Sequence, residues 1–150
     1  MKTNHFRHYV TKMLVDIMFY GGIAACIALP FVLPRLMELT GVSVQFRVHY
    51  TVVLLGSGMC AVYIMYQLKR MFQTLVSGNP FVVQNVSCLR KCAVASALIA
   101  GIFLIRLFMW FTIAASVVVV IFFILSLFCL TLKDLFKQAV IYKEETDWTV

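Results

Sequence analysis

Polar residues along this chain gather in clusters, and the stretches between the clusters are almost wholly apolar. Residues 14–36 form the first such stretch and residues 50–68 the second. From 92 to 132 a single charge, Arg106, interrupts the apolar run. A membrane-crossing helix needs about 20 apolar residues, so this run holds two, over 92–110 and 113–132. The reversal between them falls near Trp110, a residue suited to the membrane boundary. The pattern predicts an all-α chain of four spans. Pro30 and Pro34, one turn apart, are expected to kink or end the first span near its far end. Asp16 falls in that span's first turn, where a carboxylate complements the helix dipole. Residues 37–49 are expected to form a short polar loop.

The second span keeps its helical pattern past Lys69 and Arg70, through "MFQTLV", before Gly78. Gly78 suits the residue after a helix end, Asn79 suits the cap of the next helix, and Pro80 suits its first position. Helices two and three are therefore predicted to leave the membrane as a tight hairpin over residues 69–91. Phe81, Asn85, Cys88 and Cys92 share one helical face. That face either docks a partner or packs against the end of helix two and the C-terminal segment. Residues 133–150 leave the fourth span as a helix to about Tyr142, with Leu132, Leu135, Phe136, Ala139 and Val140 as its apolar stripe. The acidic end, with Glu144, Glu145 and Asp147, is expected to lie against Lys69, Arg70, Arg90 and Lys91. Exposed pairs of this kind contribute about 0–1 kcal/mol each, so they would set register more than stability.

Composition fixes the environment. Of 150 residues, 63% are hydrophobic and 13% charged, with mean hydropathy +0.96. Soluble domains hold about 45–50% apolar residues, so the chain reads as one integral membrane domain, a four-helix bundle. The net charge of +7 forms no basic stripe with interleaved aromatics, which argues against direct nucleic-acid binding. The cations are instead sorted by side. Lys2, Arg7, Lys12, Lys69, Arg70, Arg90, Lys91, Lys133, Lys137 and Lys143 fall on one side, and Arg35, Arg47 and Arg106 on the other. This asymmetry predicts both termini, and the hairpin, in the cytoplasm. The basic N-terminus precedes no small-residue cleavage site, so the first span is read as retained. Five cysteines, mostly in apolar runs, do not make a disulfide framework.

Candidate chemistry is sparse. Cys88 and Cys92, with His5 and His8 on the same side, are geometrically permitted to hold a soft metal or haem iron. The spacing matches no C-x₂-C pair, and apolar filling is the plainer role. The expectation is no metal and no cofactor. Ser57, in "GSG", lacks a base other than His49, about two turns away, and lacks an oxyanion site. Paired carboxylates near the midplane, which ion-coupled transport calls for, are absent from the sequence. No enzyme is predicted. Arg106 lies 15 residues from Lys91, about 22 Å along a helix. It is read as a cation at the outer interface, either an anchor pairing with Glu38 or a cation facing a cavity. Ala93, Ala97 and Gly101 recur every four residues, with Gly56 and Gly58 as the facing surface. This pattern suits close helix packing or a homo-oligomer.

The residues Gly78-Asn79-Pro80-Phe81, Asn85, Leu89-Arg90-Lys91 and Ala93 carry a resemblance. So do "SLFCL" at 126–130, Phe136, Gln138-Ala139, Tyr142-Lys143-Glu144-Glu145 and Asp147. Together they resemble a family of small four-span membrane proteins of Gram-positive bacteria, a domain of unknown function. Asp147-Trp148-Thr149 departs mildly from the acidic-Leu-Thr ending of that family. The resemblance implies a bacterial plasma membrane. By layout it also implies a protein encoded beside small helix-turn-helix DNA-binding regulators. It carries no active-site residues. The expected function is regulatory or scaffolding, through an inner-face docking surface of Phe81, Asn85, Arg90, Lys91, Glu144, Glu145 and Asp147. The alternative is a transport or immunity component holding a small amphipathic molecule between the spans.

Overall fold

In lipid no water satisfies a bare peptide group, so a crossing segment holds its own hydrogen bonds as a helix. The computed structural model describes residues 2–39, 41, 43–77 and 81–149, and the side chains of these except 2–8, 44, 76 and 147. Four helices account for nearly all of it: α1 (Lys2–Leu39), α2 (Val44–Val76), α3 (Val83–Met109) and α4 (Ile113–Trp148). Each is long and apolar enough to cross a membrane. The chain is an all-α, four-helix membrane bundle.

The helices are longer than the hydropathy pattern predicts. α1 passes through Pro30 and Pro34 to Leu39, so the prolines do not end it. It also starts at Lys2, which puts Asp16 well inside the helix rather than in its first turn. α2 begins at Val44, which shrinks the expected loop of 37–49 to a turn. Gly41 makes that turn with φ 71°, a left-handed conformation costly for a residue with a Cβ. Its N–H donates to the Glu38 carbonyl at 3.2 Å. α3 begins at Val83, after Val82 in an extended capping conformation. Asn79 is therefore not its cap, nor Pro80 its first residue; Gly78, Asn79 and Pro80 lie outside the described residues. The α3–α4 reversal falls where expected, with Trp110 and Thr112 extended. α4 runs on to Trp148, beyond the predicted end near Tyr142.

Packing follows chain order. α1 approaches α2, α2 approaches α3, and α3 approaches α4, with no other helix pair meeting among the described residues. α3 is the centre. It buries eleven residues, from Asn85 through Cys92, Ser96 and Ile99 to Arg106. No described side chain of α1 is buried. Two apolar layers hold α3 in place. In one, Cys92, Ala93 and Cys129 pack with Ile64 and Leu125. In the other, Ile99, Phe103 and Ala115 pack with Leu54 from α2 and Phe122 from α4.

Helices in lipid gain little from hydrophobicity and associate through close packing and polar contacts. The close packing here does not use the predicted stripe. Ala93 is buried, but Ala97 is exposed and a Cβ on Gly101 would meet nothing within 4 Å. Each four-residue step turns a helix about 40° beyond a full circle, so the third member drifts off the contact face. The buried alanines and serine of α3 are instead Ala93, Ala95, Ser96 and Ala100. Gly58 faces α1 rather than α3: a Cβ there would sit 2.9 Å from Cys26 Sγ. Gly56 does face α3, with Ile102 Cδ1 at 3.8 Å from such a Cβ.

Candidate functional site

The end of the bundle that carries the hairpin is built from the last turns of α2, the first turns of α3 and the extension of α4. Asn85 sits at its centre with no exposed surface. The Thr74 hydroxyl on α2 lies 2.8 Å from Asn85 Oδ1 and 2.7 Å from the Met71 carbonyl, its single proton shared between these two acceptors. Cys88 and Leu89 are buried beside Asn85 on α3. A residue without surface cannot meet a partner, so Asn85 leaves the docking set. Its face, with Cys88 and Cys92, is the internal contact between α3 and its neighbours. A buried amide must find hydrogen bonds, and α2 supplies one through the only threonine in its last turns.

The other predicted residues stay on the surface. Phe81 is 43% exposed and tilts against Phe136 of α4, ring centroids 5.7 Å apart. Arg90, Lys91, Glu144 and Glu145 are exposed. The acidic end does not fold back onto the hairpin: among the described residues neither Glu144 nor Glu145 forms an ion pair with Lys69, Arg70, Arg90 or Lys91. Because α4 stays helical to Trp148, it carries both glutamates onward instead of turning them toward α3. The side chain of Asp147 lies outside the described residues. Of the α4 stripe, Val140 is buried and Leu135 is exposed.

One constellation here has no counterpart in the sequence reading. Lys69 Nζ on α2 lies 2.8 Å from Asp16 Oδ1 on α1. The same ammonium lies 5.2 Å from the Phe19 ring centre and 5.1 Å from that of Tyr20, within cation–π range. The available signal was the lone carboxylate of one span facing the lysine that closes the next. Lys12, Gln73 and Ser77 join this pair around a cleft of about 240 Å³.

At the opposite end Arg106 is buried and stacks on Tyr50, 4.3 Å from the ring centre. It does not pair with Glu38. That carboxylate, at the end of α1, lies 3.9 Å from Nη1 of Arg47 in the first turn of α2. Trp110 closes over this region against Phe46, 4.5 Å between centroids. Two hydroxyls of the spans turn back on carbonyls nearby in sequence. Ser57 donates to the Leu54 carbonyl at 3.1 Å and Ser116 to that of Thr112 at 3.4 Å, each within or at the start of its own helix.

Apart from Asp16 Oδ1, which pairs with Lys69, three buried polar atoms have no hydrogen-bond partner among the described residues: His49 Nε2, Gln67 Oε1 and Ser96 Oγ. Another is used: Ser126 Oγ donates to the Ala93 carbonyl at 2.9 Å and ties α4 to α3. Among the described residues no group of three His, Cys, Asp or Glu side chains is placed to hold a metal. The side chains of His5 and His8 lie outside them.

Four apolar spans and a compact polar end describe an architecture, and a family model for a protein of unknown function matches it over residues 2–150. The chain belongs to the DUF2975 family. Comparison with curated proteins and with solved structures returns no match. The family assignment covers the hairpin and the α4 extension as well as the spans, so both are parts of one domain.

Proposed function

We propose that this family member is a non-enzymatic membrane protein whose hairpin end faces the cytoplasm and docks a cytoplasmic protein. The family resemblance suggests a helix-turn-helix transcriptional regulator as that protein. The observation that carries the reading is the contrast between the two kinds of polar residue. Within the spans, Ser57 and Ser116 bond carbonyls within or at the start of their own helices, Ser126 bonds the Ala93 carbonyl and Arg106 stacks on Tyr50, each a separate contact. Those at the end of the bundle that carries the Phe81–Phe136 contact, Arg90, Lys91, Glu144 and Glu145, are exposed. A conduit for a solute would need its polar groups to line one path, which leaves the transport alternative without that support.

Length agrees. α4, with 36 residues, is about 54 Å long, against a hydrocarbon core of about 30 Å. Its excess lies beside the hairpin and makes a rigid platform.

Orientation is tested by cysteine labelling, but not at Cys88 or Cys92, which are buried. Ser77 and Ser43 are exposed at opposite ends of α2. In intact cells an impermeant thiol reagent should label Ser43→Cys and spare Ser77→Cys; the reverse pattern overturns the orientation. Docking is tested by crosslinking in native membranes. Phe81→Asp and the pair Glu144→Gln, Glu145→Gln should each lose a crosslinked cytoplasmic protein that wild type retains, with helix content unchanged. Equal recovery by all three proteins would refute the docking surface.

A further inference from the structure

Between α2 and α3, on the flank open to the bilayer, runs a groove of about 560 Å³. Its two ends differ in chemistry. At the hairpin end it is lined by Ser87, Arg90 and Lys91, and further along by Tyr63, Val94 and Leu98. Leu98 lies eight residues beyond Arg90 on one helix, about 12 Å along the axis. That is most of the depth of one leaflet, about 15 Å when the hydrocarbon is about 30 Å thick. Val94 and Leu98 are more than half exposed, so the apolar half opens sideways into lipid.

Charge selects the occupant. No carboxylate lines the groove, and neither Arg90 nor Lys91 forms an ion pair among the described residues. The cleft at Lys12 and Lys69 differs, because Asp16 lines it and pairs with Lys69. We infer that the α2–α3 groove binds one glycerophospholipid of net negative headgroup from the leaflet on the hairpin side. Its phosphate would accept from the Arg90 guanidinium, which offers a planar fork for two oxygens, from the Lys91 ammonium and from the Ser87 hydroxyl. An acyl chain would lie along Tyr63, Val94 and Leu98. Basic pockets between spans on the cytoplasmic side suit anionic headgroups in general. The continuous apolar wall above the cations is what favours a lipid over a free phosphate.

This inference goes beyond the docking reading and is tested without any protein partner. The full chain is purified in a neutral detergent and titrated with phosphatidylglycerol or phosphatidylcholine, and native mass spectrometry counts bound lipid. One phosphatidylglycerol should be retained in preference to phosphatidylcholine. Each cation near a headgroup is worth about a fivefold change in affinity, so Arg90→Gln with Lys91→Gln should weaken binding about thirtyfold. Leu98→Trp fills the apolar half and leaves the charge alone, and it should also displace the lipid. Glycerol-3-phosphate, which has the headgroup chemistry without the chain, should not compete. Equal retention of the two lipids would overturn the proposal. So would undiminished binding by Leu98→Trp with helix content intact, competition by glycerol-3-phosphate, or a dimer of the chain in place of the lipid adduct. Arg90 and Lys91 belong to both surfaces, but Phe81, Glu144 and Glu145, where the docking variants are made, lie outside the groove, so failure of lipid binding would leave the docking reading standing.

Discussion

Replacing Asn85 by alanine tests how the hairpin is held. Asn85 has no exposed surface, and Thr74 Oγ1 lies 2.8 Å from its Oδ1. Truncation removes that bond and leaves a small void between α2 and α3. Losing a buried partner costs about 1–3 kcal/mol. Thr74 keeps the Met71 carbonyl at 2.7 Å, so its hydroxyl is not stranded, and the expected cost falls at about 1–2 kcal/mol. For a chain of this length that lowers Tm by roughly 2–8 °C. Thr74→Val keeps the shape but removes the donor on a fully buried oxygen, and should cost about as much. The double variant should be less destabilised than the sum by about 0.5–1.5 kcal/mol, since both singles remove one bond. The assay is thermal unfolding in detergent read by a thiol-reactive dye. Cys88, buried one turn from Asn85, reports the opening of this region. An Asn85→Ala protein within about 0.5 kcal/mol of wild type, or strictly additive singles, would refute the reasoning.

Other substitutions probe the remaining contacts. Gly58→Ala places a methyl 2.9 Å from Cys26 Sγ and should destabilise the α1–α2 contact by about 1–3 kcal/mol; Cys26→Ala in the same protein should restore most of the lost Tm. Ser126→Ala removes the bond to the Ala93 carbonyl and should cost about 1 kcal/mol, measured as the same Tm shift. Ser96→Ala removes an unpartnered buried hydroxyl, so thermal unfolding should show no loss of stability and a gain of up to about 1–3 kcal/mol. Asp16→Asn breaks a pair whose members are both partly exposed and should shift stability by no more than about 1 kcal/mol, the shift shrinking further when salt is raised.

The spans were legible because lipid allows few solutions: four long apolar runs must be helices. Their ends were less so. Hydropathy marks where the hydrocarbon stops, not where the helix does, and α1, α2 and α4 all run on into polar sequence. The hairpin motif located a junction but not its cap, since α3 starts at Val83 and not at Pro80. Periodicity put Asn85, Cys88 and Cys92 on one face, and they share one, but it could not say whether that face looked inward. Burial depends on what packs opposite, here Thr74, which no local pattern ties to Asn85. The Gly56–Gly58 pair shows the same limit. Spacing identified small residues, while the rotation of α2 between two neighbours sent one to α1 and the other to α3.

The chain-order packing of the four helices bears on how the molecule is made. Among the described residues each helix meets only its neighbours in chain order, so none of these helix pairs waits for a distant segment to return. Such local topology goes with rapid folding in general, and here it matches the direction of synthesis. α1 and α2 can pair while α3 is still in the ribosome. The exception is the last surface. The α3 face that receives Ser126 at the Ala93 carbonyl stays bare until α4 has been translated. α4 has 36 residues, or roughly 2–7 s at about 5–20 residues per second. During that interval the nascent chain is a three-helix intermediate with its central helix uncovered on one side, the state in which membrane quality control would find it.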